Sequence, residues 1–256
     1  MKNKITFSIL LAASLFIAVG CEDFLQKDPQ GELTQEAFPV TASDAELATN
    51  AVYVTIRNWA YHSGGYPIMD IMSDDAHKGS NPNDQLPTIG PYESFTHTTT
   101  QDGLDRWYSA LYEGIKRANV VLEKVSLIDM DTELRSQYLA EASFLRGLYY
   151  FDLVRAFGGV PKVTSTTPPT KVPRSTADEI YDLIISDLEF AAMNLPEKSA
   201  YGPDDTGRAT KGAAKSLLAK VYLFRKDFVN AEKYALEVII SDEYDLEPVF
   251  ADANGK

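Results

Sequence analysis

From residue 43 onward apolar side chains recur every three or four positions along most of the chain, and no long stretch alternates apolar with polar residues. That spacing predicts helices and no sheet. Ser43 and Glu46 have capping-box spacing, and Ala48, Val52, Ile56 and Trp59 fall on one stripe, so a first helix is expected from Asp44 to about Tyr61. A second is expected from Leu104 to Val125, through Trp107, Leu111, Ile115, Ala118 and Leu122. A third carries Leu134, Tyr138, Ala142, Leu145, Tyr149 and Leu153. It should stop at Gly158 and Gly159, with Pro161 just beyond.

A fourth helix is expected to start at Ser175 or Thr176, where capping boxes close on Asp178 or Glu179, and to run to Pro196. A helical hairpin follows from about Thr210, with Ala214, Leu217, Leu218 and Val221 on one face, a turn at Lys226 and Asp227, and a return through Ala231, Ala235 and Val238. Its Leu218, Ala219, Tyr222 and Ala231 match tetratricopeptide spacing, although Lys215 and Ala235 stand where that repeat has Trp and Phe. Residues 62–102 and 159–174 read as long loops, the second with Pro161, Pro168, Pro169 and Pro173; long loops on rigid scaffolds often carry function. The expected fold is therefore all-α, with tetratricopeptide-like helix hairpins in a partial superhelix joined by long loops.

The N-terminus has a different pattern. Lys2 and Lys4 precede an apolar run from Ile5 to Val19, interrupted by Ser8 and Ser14, which is the layout of a secretory signal. The run is shorter than the roughly 20 residues needed to cross a bilayer. Cys21, the one cysteine, follows Ala18, Val19 and Gly20, where a lipoprotein signal peptidase would cut, and a single cysteine makes no internal disulfide. Cys21 is the expected lipidation site, and its acyl chains would hold the folded part at a membrane surface.

At 45% hydrophobic and 24% charged, the composition is that of an ordinary globular protein. Removing the first twenty residues takes away Lys2 and Lys4 and no acid, so the formal charge moves from -13 to -15. Such an acidic surface repels phosphate backbones, which argues against a nucleic-acid partner.

The segment from Glu141 to Pro161, EASFLRGLYYFDLVRAFGGVP, resembles the signature of SusD/RagB proteins. Further matches occur in order: Cys21 to Leu25 with Pro29, Trp107-Tyr108 followed by Ile115 to Asn119, Ile184 to Leu188 leading to Leu195-Pro196, and Gly207 to Ala214 continuing through Leu217 to Leu223. The resemblance implies a surface-exposed, lipid-anchored outer-membrane lipoprotein. Such a protein binds an oligosaccharide, or in some members a peptide, and delivers it to a SusC-like TonB-dependent transporter. Family members are about twice this length, so residues 1–20 are expected to be a signal peptide, 21–42 a lipid anchor and tether, and 43–256 an N-terminal helical domain truncated before a C-terminal half. Within the signature, Arg146 and Arg155 interrupt an apolar face and need partners, for which Asp152 and Glu141 are at hand. The motif is therefore expected to hold the scaffold together.

A sugar presents a flat C–H face and a rim of hydroxyls, so its site needs aromatic planes beside amides or carboxylates. The stretch from Asn58 to Asp75 offers Asn58, Trp59, Tyr61, Tyr66, Asp74 and Asp75, with Tyr92 further along. Trp59 and Trp107 also sit on apolar stripes and are expected in the core, which leaves Tyr61 and Tyr66 as the better candidates. Asp70, Asp74, Asp75 and His77 meet no established metal-ligand spacing, and Pro203 to Gly207 reads as a turn, so neither a metal nor a cofactor is expected. The three histidines lie in one loop region, without a nucleophile motif, and no catalytic residues are expected. The alternatives are capture of a peptide or other nutrient in the same system, or a tetratricopeptide-like scaffold that binds only protein partners.

Overall fold

The signature helix is central, because the chain surrounds it with apolar faces from four other helices. The computed structural model describes residues 38–79 and 89–246, with the side chains of residues 63–68 and of Asp102 outside the described set. The signal run, Cys21 and most of the tether lie outside the described residues. The chain divides into Met1–Phe38 and Pro39–Lys256, and the elements below belong to the second unit.

Helix α1, Ala42–Arg57, buries Ala45, Ala48, Thr49, Val52 and Thr55. Its capping box is Thr41 with Asp44, two residues earlier than Ser43 with Glu46: Thr41 Oγ1 accepts from Asp44 N at 3.2 Å, and Asp44 Oδ2 accepts from Thr41 N at 3.0 Å. Helix α2, Trp59–Tyr66, follows after a break at Asn58 and continues into a wide turn over Pro67–Ile71. A single turn, α3, spans Gly90–Glu93. The loop expected over 62–102 is thus partly helical, where small residues and Pro67 had masked the period.

Helix α4, Asp102–Lys124, runs into a tight turn over Val125–Leu127. Helix α5, Thr132–Phe157, is capped by Asp131, whose carboxylate accepts from Leu134 N at 2.9 Å, and it ends at Gly158, whose φ of 69° suits glycine. The buried residues of α5 lie all round it, including Leu145, Tyr149, Tyr150, Phe151 and Leu153. It packs against α1, α4, α6 and α7. Helix α6, Ala177–Asn194, starts with the Thr176–Glu179 capping box, one of the two starts the sequence allowed.

Helices α7, Lys211–Phe224, and α8, Phe228–Ile239, form the last hairpin, with Lys226 in left-handed backbone (φ 61°) at the turn. No strand occurs among the described residues, and Pro161 and Arg174 make one isolated antiparallel bridge. The all-α expectation holds. The core runs through Leu111 and Ile115 of α4, Leu145 and Leu153 of α5, Ile184 and Leu188 of α6, and Leu218 and Val221 of α7. Helix α8 contributes no buried residue, and it leaves Phe228, Val229, Leu236 and Ile239 exposed.

Candidate functional site

The charged residues of the signature face inward and tie helices together. Arg146 donates from Nε and Nη2 to both oxygens of Asp187 on α6, at 2.8 and 2.7 Å, and from Nη1 to Asn119 Oδ1 on α4 at 2.8 Å. Asn119 in turn donates to Val163 O at 3.1 Å. Three sequence motifs thus meet at one guanidinium. Arg155 pairs with Asp152, as expected, and lies over the Phe151 ring at 4.5 Å. Glu141 partners neither Arg146 nor Arg155. It is fully buried and accepts from Tyr53 Oη at 2.8 Å, Gln137 Nε2 at 2.9 Å and Arg208 Nη1 at 2.9 Å. Burial opposes the Arg208 charge, but Glu141 outweighs that and holds the guanidinium protonated. This geometry is scaffold, as a buried charge requires.

The proposed sugar-facing residues separate into two groups. Asn58 ends α1 in extended backbone, and its Oδ1 accepts from Ala60 N at 2.9 Å, which starts α2. In an unbroken helix Trp59 would follow Val52 and Ile56 onto the buried stripe. The break at Asn58 turns it out instead, and Trp59 is 69% exposed, contrary to its expected place in the core. Trp107, by contrast, is core at 1% exposure. Asp74 and Asp75 are exposed on the turn after α2, where Ser73 Oγ accepts from Asp75 N.

Tyr61 and Tyr92 point inward. Tyr61 donates to Asp152 Oδ2 at 2.8 Å and meets Tyr149 edge-on at 6.2 Å; burial, then the Asp152 charge, raise its pKa and keep the phenol neutral. Tyr92 is 1% exposed, stacked on His97 at 5.4 Å, with its hydroxyl where a side chain at Gly103 would begin. Its ring is closed to a ligand, which removes it from the candidate surface for want of an open face. Tyr66 closes α2, and its side chain is outside the described residues. Asn58 and Trp59 are thus a polar and an aromatic residue, consecutive in the chain and both exposed. No group of three or more metal-ligating side chains comes together among the described residues.

A groove of about 500 Å³ between α1 and the Pro203–Arg208 segment went unpredicted; Asn50, Val54, Arg57 and Thr206 line it. Asn50, Val54 and Arg57 share one face of α1 at helical spacing, which was the available signal. The opposite wall is the turn the sequence predicted, but nothing in its spacing relates it to α1.

Residues 23–223 match the SusD-like family model, described as starch-binding and associating with the outer membrane. A SusD-like protein P38 of Formosa agariphila is 31% identical over 250 residues, covering 95% of this chain and 47% of that protein. The SusD-like protein P25 of the same organism is 27% identical, covering 97% and 49%. The chain spans about half the length of the curated relatives it matches. Among solved structures, a laminarin-binding SusD-like protein has a TM-score of 0.71 at 33% identity, covering 79% of this chain and 44% of that one. A SusD homolog from Bacteroides thetaiotaomicron gives 0.74 at 29% identity, covering 85% and 44%.

Proposed function

From the premise that this chain belongs to the SusD-like family, we propose that it binds an oligosaccharide at the outer cell surface and delivers it to a SusC-like TonB-dependent transporter. The observation that carries the reading is Trp59: a tryptophan 69% exposed offers a stacking plane, and the exposed Asn58 before it in the chain adds a hydrogen-bonding amide. The family description supports the sugar and the outer membrane, and the laminarin-binding neighbour supports a glycan. In this reading Asn58 and Trp59 contact the sugar, Asp74 and Asp75 extend the contact, and Tyr61 supports α2 from beneath. Binding needs no catalytic group, metal or cofactor.

Cys21 is the proposed lipidation site. The domain reading is that residues 1–20 are a signal peptide and 21–42 a tether, with 43–256 an N-terminal helical domain completed by a second half. The exposed apolar face of α8 and the doubled length of the relatives support that completion. No helix among the described residues is long and apolar enough to cross a membrane.

The test is an array of glycans and peptides probed with the full chain carrying Cys21→Ser. Glycan binding is the expected result, and binding to peptides alone contradicts the reading.

A further inference from the structure

The tail of the signature does more than end α5. Phe157, Gly159, Val160 and Pro161 line a pocket of about 350 Å³ together with Tyr108 of α4 and Arg174. The Tyr108 and Phe157 rings stand at 89° with centroids 5.2 Å apart, so two aromatic planes form a corner. Tyr112 supports that corner: its ring lies 4.8 Å from Tyr108, and its hydroxyl donates to Pro161 O at 2.7 Å. Arg174 closes the rim. It donates to Gly159 O from Nε and to Phe157 O from Nη2, the latter at 2.6 Å, which satisfies carbonyls at the end of α5. A guanidinium has five N–H donors, and the three others have no protein acceptor among the described residues.

The pocket is built rigidly. Ser175 N donates to Val160 O at 3.0 Å, and a Cβ at Gly159 would sit 2.1 Å from Ser175 O, so only glycine lets the two segments of backbone approach. Rings held before a ligand arrives lose little freedom on binding.

We propose that this corner is a second carbohydrate subsite, seating one pyranose ring with its C–H face on Tyr108, its edge on Phe157 and a hydroxyl oxygen accepting from Arg174. Aromatic planes at right angles match the face and edge of a saturated six-membered ring, and free N–H donors match its hydroxyl oxygens. The subsite rests on the glycan-binding reading above.

The two tryptophans allow the readings to be separated. Trp107 lies against Phe157, with ring centroids 5.9 Å apart, whereas Trp59 stands exposed at the start of α2. The full chain is labelled with 5-fluorotryptophan, its two resonances are assigned with Trp59→Phe, and it is titrated with laminarihexaose and with maltohexaose. The expected result is a saturable shift of Trp107 by at least one of them. Tyr108→Ala should abolish that shift while the Trp59 shift persists, and Tyr108→Phe, which keeps the ring, should retain it. A Trp59 shift with Trp107 unmoved overturns the subsite and leaves the glycan reading standing. No shift at either tryptophan contradicts both.

Discussion

Arg146 and Asp187 meet through two parallel hydrogen bonds across the α5–α6 interface, with side chains only 11% and 7% exposed. Burial raises the Asp187 pKa, and the Arg146 bonds pull against it. Removing the guanidinium alone leaves a carboxylate without its partner in the interior. Arg146→Met should therefore cost about 3–5 kcal/mol in urea unfolding, whereas Arg146→Met with Asp187→Leu should recover most of that loss. Equal losses in the single and double variants would contradict the pairing.

That pair also marks where the sequence was legible and where it was not. Helix periods are local, so α4 to α8 could be read to within a few residues, with Gly158 and the Thr176–Glu179 box as punctuation. Partners are not local. Asp152 lies three residues before Arg155 on the same helix face and could be named. Asp187 lies 41 residues from Arg146 and could not. Trp59 failed for a related reason. Its stripe position assumed an unbroken helix, and the break at Asn58 reversed the face it presents.

Gly114 on α4 faces the Tyr149 ring so closely that a Cβ would lie 2.5 Å from it. The ring cannot swing away, because it is fully buried and its hydroxyl donates to Val52 O at 2.7 Å. Helix propensity alone favours Gly114→Ala by about 1 kcal/mol. Overpacking should prevail, with a net loss of about 1–2 kcal/mol in chemical denaturation. A stabilised variant would contradict this packing.

Glu123 anchors the segment after α5 by accepting from Thr166 N at 3.0 Å and from Thr166 Oγ1. Burial alone would raise its pKa, but these bonds prevail and lower it below the ordinary 4.5. A lowered carboxylate contributes stability above its unfolded value and loses it as pH falls through the folded value. The difference in melting temperature between wild type and Glu123→Gln should be present at neutral pH and shrink as pH drops below 4.5. A difference constant with pH would contradict the assignment.

The exposed Phe228, Val229, Leu236 and Ile239 of α8 make an apolar face on a chain half the length of its relatives. Faces of this kind associate in water. Sedimentation of the chain carrying Cys21→Ser should show self-association that rises with concentration, and Phe228→Lys with Ile239→Lys should reduce it. A monomer at every concentration would contradict the proposed coverage by a second half.

The central claim is that the exposed indole of Trp59 captures a sugar. Isothermal titration of the most strongly bound array glycan into wild type and Trp59→Ala tests it most directly. Loss of the stacking plane should weaken binding about tenfold, equivalent to about 1.4 kcal/mol, with the unfolding midpoint unchanged because Trp59 is exposed. Unchanged affinity in Trp59→Ala would contradict the claim.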